Sequence, residues 1–248
     1  DEGVEQIAAN LGSKVKIPKE VLRLGNIYYK GVASGKGKSQ IGTKGVLRTD
    51  AGNVEIDAHQ NGKQLSAKVD TKSINQGKIR DNAKLGIIAA HIIAQGTKEH
   101  LVAKGEIPLF DFNNYRFSNI RLDGSYNKGL IDGLASIADP NINLQVAGKY
   151  SIPKKQYEAQ LNLAHLQPTV LGVKMADNTY TLNDIRVSAK NEGADSYLDL
   201  EAPFANIHVK GQYDNGTLVQ TMTNMLASKL PTLPGIGKTS NKARNNFS

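Results

Sequence analysis

Cysteine is absent from this 248-residue chain, which excludes disulfides, thiolate zinc sites and a cysteine nucleophile. Tryptophan is absent too, and five Phe stand against nine Tyr, so any core has to be built from Val, Ile, Leu and Ala. No apolar run reaches the roughly 18 residues that a membrane-crossing helix needs. Hydrophobic residues make up 39%, under the usual ~45–50%; part of the gap is the 24 Gly that the sum leaves out. The net charge is +8 and the pI about 9.4, but Lys and Arg are scattered. Neither an Arg-rich run nor a basic stripe interleaved with aromatics occurs, which argues against nucleic acid as a partner. The chain opens at Asp1 with no initiator Met and no signal peptide, and so reads as a piece of a longer protein.

What the sequence has in abundance is alternation. Gly124-Ser125-Tyr126, Gly148-Lys149-Tyr150 and Gly211-Gln212-Tyr213 each close a stretch of alternating apolar and polar residues. Ile142-Asn143-Leu144-Gln145-Val146-Ala147 and Ile207-His208-Val209-Lys210 are two such stretches. A period of two makes one side of a strand apolar and the other wet. The pattern predicts about a dozen strands: 26–34, 43–49, 53–59, 64–72, 84–94, 98–109, 115–126, 130–138, 141–150, 156–166, 179–190, 196–205 and 206–213. Asp50-Ala51-Gly52, Asn127-Lys128-Gly129 and Asp139-Pro140 mark turns. The run from Lys84 to Ala94 has almost no polar face, so it reads as a buried helix or a strand covered on both sides, and its β-branched residues and the Gly96 that ends it favour the strand. Residues 73–83 read as irregular.

Helical spacing is confined to the ends. A helical lead-in is expected over 1–24, from Val4, Ile7, Ala8 and Leu11 and a second turn at Pro18. One β region is expected over 25–216, broken briefly at 167–178. An amphipathic helix over 217–234 carries Leu218, Met222, Met225, Leu226 and Leu230 on one stripe. A basic, flexible tail is expected over 235–248. No strand–helix alternation occurs, which excludes a parallel doubly wound sheet. The expected fold is mainly β: a long antiparallel sheet curled into a groove, or a sandwich-like packing, with short helices near both ends.

Catalytic and metal motifs are weak. Gly37-Lys38-Ser39 and Gly237-Lys238-Thr239 look like the end of a phosphate loop, but Val32 and Thr232 stand where the first Gly must be. His59, His91, His100, His165 and His208 lack a partner at metal-ligand spacing, and His91 reads as a core histidine. Asp123, Asp132, Asp184, Asp199 and Glu201 are spread along strands and do not converge as an acid pair. No Gly-x-Ser-x-Gly elbow is present. Asn215-Gly216-Thr217, a formal glycosylation sequon, reads as a turn. The residues thus single out no catalytic, metal or cofactor site.

The apolar strand faces are what remains. They include Val54, Ile56, Leu65, Val69 and Ile87. The candidate groove lies later, at Ile142, Leu144, Val146, Leu161, Leu163, Ile185, Val187, Leu198, Leu200, Ile207 and Val209. Such faces are most often plain sandwich core. An open one of this length is too large for a free monomer surface.

Leu24-Gly25-Asn26-Ile27-Tyr28-Tyr29-Lys30-Gly31, followed by Val46-Leu47-Arg48-Thr49-Asp50-Ala51-Gly52, resembles the central region of the TamB (translocation and assembly module) family of Bacteroidetes type, within the AsmA-like group. Phe112-Asn113-Asn114-Tyr115, Asn119-Ile120, Leu122-Asp123-Gly124 and Asn127-Lys128-Gly129-Leu130 continue the resemblance. So do Asp139-Pro140-Asn141-Ile142-Asn143-Leu144 before Gly148, and the helix from Met222 to Pro231. The resemblance covers most of 18–248 and rests on the order of Gly and Asp punctuation. It implies a non-enzyme with no cofactor: a β-taco trough in the periplasm, in a protein anchored in the inner membrane. It implies phospholipid transport between inner and outer membranes, and work with a BamA-like (TamA-type) outer-membrane partner through parts outside this chain. The competing reading is a scaffold for outer-membrane protein assembly or secretion through β-strand pairing. A third class, a carbohydrate-active β-protein, needs two close acids or a Tyr platform.

Overall fold

The computed structural model describes residues 23–36 and 40–211. The helices expected over 1–24 and 217–234 and the tail over 235–248 lie outside the described residues. The described chain forms one antiparallel sheet of thirteen strands, paired in strict sequence order without a crossover and not closed into a barrel. The strands are β1 (Tyr28–Lys36), β2 (Gln40–Thr49), β3 (Gly52–Asn61), β4 (Gln64–Asn75), β5 (Leu85–Gly96), β6 (His100–Phe112) and β7 (Tyr115–Asn127). They continue as β8 (Leu130–Asp139), β9 (Ile142–Ser151), β10 (Gln156–Leu166), β11 (Leu182–Asn191), β12 (Tyr197–Ala202) and β13 (Ala205–Lys210). Two compact units divide the chain, one ending at Asp123 and the other beginning at Gly124.

Turn chemistry sets this meander. Asn113 and Asn114 have φ of 51° and 65°, and Lys128 and Gly129 have φ of 45° and 91°. Both pairs are two-residue hairpin loops with positive φ throughout, whose twist matches that of the flanking strands. Gly52, after Asp50-Ala51, sits at φ 138°, where a side chain would lie 2.1 Å from the Ser73 carbonyl oxygen. Between β4 and β5 the polar stretch holds a short helix, α1 (Gln76–Arg80). The Asn75 side chain caps it by accepting from the Lys78 N–H at 3.1 Å.

In the first unit, bulges keep apolar side chains on one face. Glu106 faces His91 while Leu109 faces Ala89, so β6 carries one extra residue between them, within Ile107-Pro108. Proline is tolerated there because a bulge leaves a residue unpaired. The shift brings Phe110 opposite Ile88, and Ile74 opposite Ile88 on its other side. Ile74 and Phe117 are 7% and 3% exposed. Phe110 stacks on Phe112 with centroids 6.3 Å apart, and Tyr115 meets Phe117 edge-on at 4.8 Å. This cluster is the apolar centre of the unit, so the core is not built from Val, Ile, Leu and Ala alone, as the low aromatic content suggested.

Several segments differ from expectation. The β5 run is a strand, but it is not covered on both sides: Ile92 and Ile93, which point to opposite faces, are 36% and 43% exposed. The break in the second unit extends through residue 181, with a 3-10 turn at Pro168–Leu171 that buries Pro168 and Val170. The strand expected to run to Ala205 ends at Ala202, because Pro203 lacks the N–H to continue a ladder. Ser196, read as a strand residue, staples the preceding turn. Its hydroxyl donates to Gly193 O at 2.7 Å and accepts from Glu192 N–H at 3.0 Å.

Candidate functional site: the apolar sheet face of the second unit

Residues paired across strands share a face, and so do residues two apart along one strand. The registers of β8 to β13 therefore sort the side chains into rows. One row is Ile137–Leu144–Leu163–Ile185. The next is Ala135–Val146–Leu161–Val187–Leu200–Ile207. The third is Gly133–Gly148–Ala159–Ala189–Leu198–Val209. Ile142 pairs with Leu166. All eleven candidate residues thus lie on one face.

A β-bulge in β10 is part of this. Leu163 faces Leu144 while Leu166 faces Ile142, three residues against two, so the extra residue keeps Leu166 on the apolar side. Ile137, Ala135, Leu166 and Ala189 join the face without having been singled out from sequence, beside Ala159, which alternation had placed on an apolar strand face. Their place depends on pairing register, which single-strand alternation does not reveal.

Burial across the face is uneven. Ile142, Leu163, Ile185, Leu198 and Val209 are buried, at 4%, 8%, 9%, 3% and 4% exposed. Leu144, Val146, Leu161, Val187, Leu200 and Ile207 are half-buried. The central row is therefore open to its surroundings along its whole width. A lane of small residues, Gly133, Gly148, Ala159 and Ala189, runs beside it across four strands. On its other side stands Ile131–Tyr150–Tyr157. The first unit repeats the arrangement: Ala58–Ala67–Ala94–Ala103 runs beside Ile56–Val69–Ile92–Gly105.

The reverse face is polar and ion-paired. In the second unit Asp132–Lys149–Glu158–Lys190 form one row of alternating sign, with Lys149 3.7 Å from Asp132. Arg186 lies 3.8 Å from Glu201. In the first unit Lys44 meets Asp57 at 3.1 Å and Lys104 meets Asp123 at 3.4 Å. Of the carboxylates considered for acid–base chemistry, Asp123, Asp132 and Glu201 face Lys or Arg, and Asp199 pairs with His208.

Residue His91 sits half-buried on the polar face, bonded to Asp70 on the neighbouring strand, so it is no core histidine. The His91 ring and Lys68 hold the Asp70 carboxyl below the ordinary carboxylate value. Lys44 and then His59 do the same for Asp57. Among the described residues no group of three or more His, Asp and Glu is placed to hold a metal ion. No described helix is long and apolar enough to cross a membrane.

The arrangement can act chemically as a two-sided surface: one face wetted and pinned by ion pairs, the other a broad apolar plane with an open central row. No protein-family model matches the chain, and no curated protein and no solved structure matches it.

Proposed function

We propose that this chain is a non-enzymatic segment of a TamB-like, AsmA-like periplasmic protein that carries phospholipid acyl chains over its apolar sheet face on their way between inner and outer membranes. The observation that supports the reading most is the half-buried row Val146–Leu161–Val187–Leu200–Ile207. Each acyl CH₂ removed from water gains about 0.8 kcal/mol. A row crossing β9 to β13 offers that gain over four interstrand steps of about 4.8 Å each. Aliphatic side chains of similar size give no deep stopping point, and the small-residue lane leaves room for a chain to lie flat. The wet, ion-paired reverse face offers acyl chains no such gain, so the tails lie on one side of the sheet.

The test is lipid content. The protein is purified from bacterial membranes under mild conditions, then analysed by native mass spectrometry with lipid extraction. Phospholipid that co-purifies with the native chain and is lost from a folded Leu144→Asp, Leu161→Asp variant supports the reading. A folded native chain that takes up no added phospholipid overturns it.

One observation favours a second reading. Every residue of the edge strand β1 is exposed, and its outer side has no partner strand among the described residues. An extended peptide can add to such an edge, as in a scaffold for outer-membrane strands that acts with a BamA-like partner. Strand-peptide binding that persists after the apolar face is loaded with lipid supports that reading. Competition between the two argues against it.

A further inference from the structure

At one end of the second unit two hairpin tips sit together. The Ile152 N–H donates to Gly129 O at 2.8 Å, which ties the loop after β9 to the turn between β7 and β8. A side chain at Gly129 would meet Pro153 Cδ at 3.1 Å. Four large apolar side chains stand out from this tip: Leu130, Ile131, Tyr150 and Ile152 are 43%, 42%, 40% and 47% exposed. They are not the edge of one face. Ile131 pairs with Tyr150 on the apolar side, whereas Leu130 alternates onto the polar side and Ile152 lies in the loop. The tip is therefore greasy all round.

Its border is basic. Lys154 and Lys155 follow Ile152 after Pro153; among the described residues neither makes an ion pair within 4 Å, and Lys154 acts only at longer range on Glu192. The neighbouring carboxylates are taken: Glu192 lies 2.5 Å from Lys190 and Asp132 3.7 Å from Lys149. Large aliphatic side chains, a Tyr with an apolar ring and polar tip, and flanking Lys are what an interfacial segment presents to a bilayer. A protein partner would have to meet two unpaired lysines with carboxylates of its own. An anionic bilayer meets them everywhere on its surface.

We infer that this paired hairpin tip is a membrane-contact element that inserts Leu130, Ile131, Tyr150 and Ile152 into the headgroup region of an anionic bilayer, with Lys154 and Lys155 on the lipid phosphates. It goes beyond carriage of single lipids on the sheet face, since it contacts an intact bilayer through different residues.

Vesicle co-sedimentation tests it with the full chain. Vesicles of phosphatidylcholine containing phosphatidylglycerol are compared with phosphatidylcholine alone. The native chain is expected to bind the former. Binding should weaken at least about tenfold in Ile131→Asp, Ile152→Asp and in Lys154→Glu, Lys155→Glu, and fall with added salt. Because the chain has no Trp, Ile152→Trp gives a single reporter. Its emission should shift to the blue on adding the anionic vesicles, and that of Val32→Trp, at a position 72% exposed on β1, should not. The Leu144→Asp, Leu161→Asp variant should lose carried lipid yet keep vesicle binding, which separates the two proposals. No binding by the native chain, or equal binding by folded tip variants, overturns the inference. Tip variants that abolish only self-association overturn it in favour of a protein contact.

Discussion

Ser196 is 1% exposed, and its hydroxyl serves two backbone groups of one turn. Ser196→Ala leaves the Glu192 N–H without its partner, while the Gly193 carbonyl keeps only the Ser196 N–H at 3.3 Å. It should cost about 1–3 kcal/mol, read from the shift of the urea midpoint; a change under a few tenths would contradict the staple. Gly45 is constrained by backbone: a Cβ there would lie 2.6 Å from Gly31 Cα and 2.6 Å from Lys30 O. The ring of Tyr29 covers this glycine pair, its hydroxyl 2.5 Å from Thr43 Oγ1. Gly45→Val should therefore detach β1, seen as lost amide protection at Tyr28–Lys36 with the rest of the sheet unchanged. A third residue-scale effect is a pH dependence. Arg116 grips Asp111 through two bonds of 2.7 and 3.0 Å and is the main cause of its lowered pKa. A depressed carboxyl pKa adds stability above the unfolded value of about 4, and loses it as pH falls through the folded value below that. The Arg116 side chain is exposed, so Arg116→Gln should lower stability only slightly at neutral pH, read from the urea midpoint. The difference from the native chain should close once both are acidified below the folded-state value of Asp111, where the carboxyl is protonated in either chain.

Strands decide which leucines are core and which are surface. Leu198 and Leu161 both lie on the apolar face, but Leu198 is 3% exposed and Leu161 is half-buried. Leu198→Ala should cost about 2–5 kcal/mol by denaturant unfolding, and Leu198→Asp should not fold. Leu161→Asp should fold, with its circular dichroism spectrum retained; if it does not, the open row is structural. Alternation alone made these two residues equivalent, since period-two patterning places a side chain on a face but not beneath a neighbour. It did locate β10, Gln156–Leu166, with its observed ends, because polar and apolar residues interchange cleanly there. It misread the cover over β5: consecutive isoleucines such as Ile92 and Ile93 alternate onto opposite faces of the strand, and both stand exposed. The turns were legible where Gly or Asn must accept positive φ, as at Lys128-Gly129. The 3-10 turn at Pro168–Leu171 was legible as a break, but its full extent was not. Residues 172–181 carry no periodicity to mark where pairing resumes. The membrane-contact tip was not legible at all: Leu130 and Ile152 are brought beside one another only by the β8–β9 register.

Each strand pairs only with its neighbours in sequence, so stability is close to a sum of nearest-neighbour interfaces, as in repeat proteins. Local pairing of this kind also closes short loops early in folding. Amide exchange should be fastest in β1 and β13, which have one partner strand each among the described residues, and slowest within β4–β6 and β9–β11. Uniform protection across all strands would show a single cooperative block. Denaturant unfolding should be broader, with a smaller m-value than a two-state chain of this size. The uncrossed order also bears on how such a gene can change length. Excising two consecutive strands with their hairpin, for instance β9 and β10, leaves β8 still antiparallel to β11 and shortens the ladder by about 10 Å. Duplicating a pair lengthens it by the same step. Inheritance can thus tune the molecule like a ruler marked in hairpins, with insertions and deletions tolerated in pairs and selected against singly.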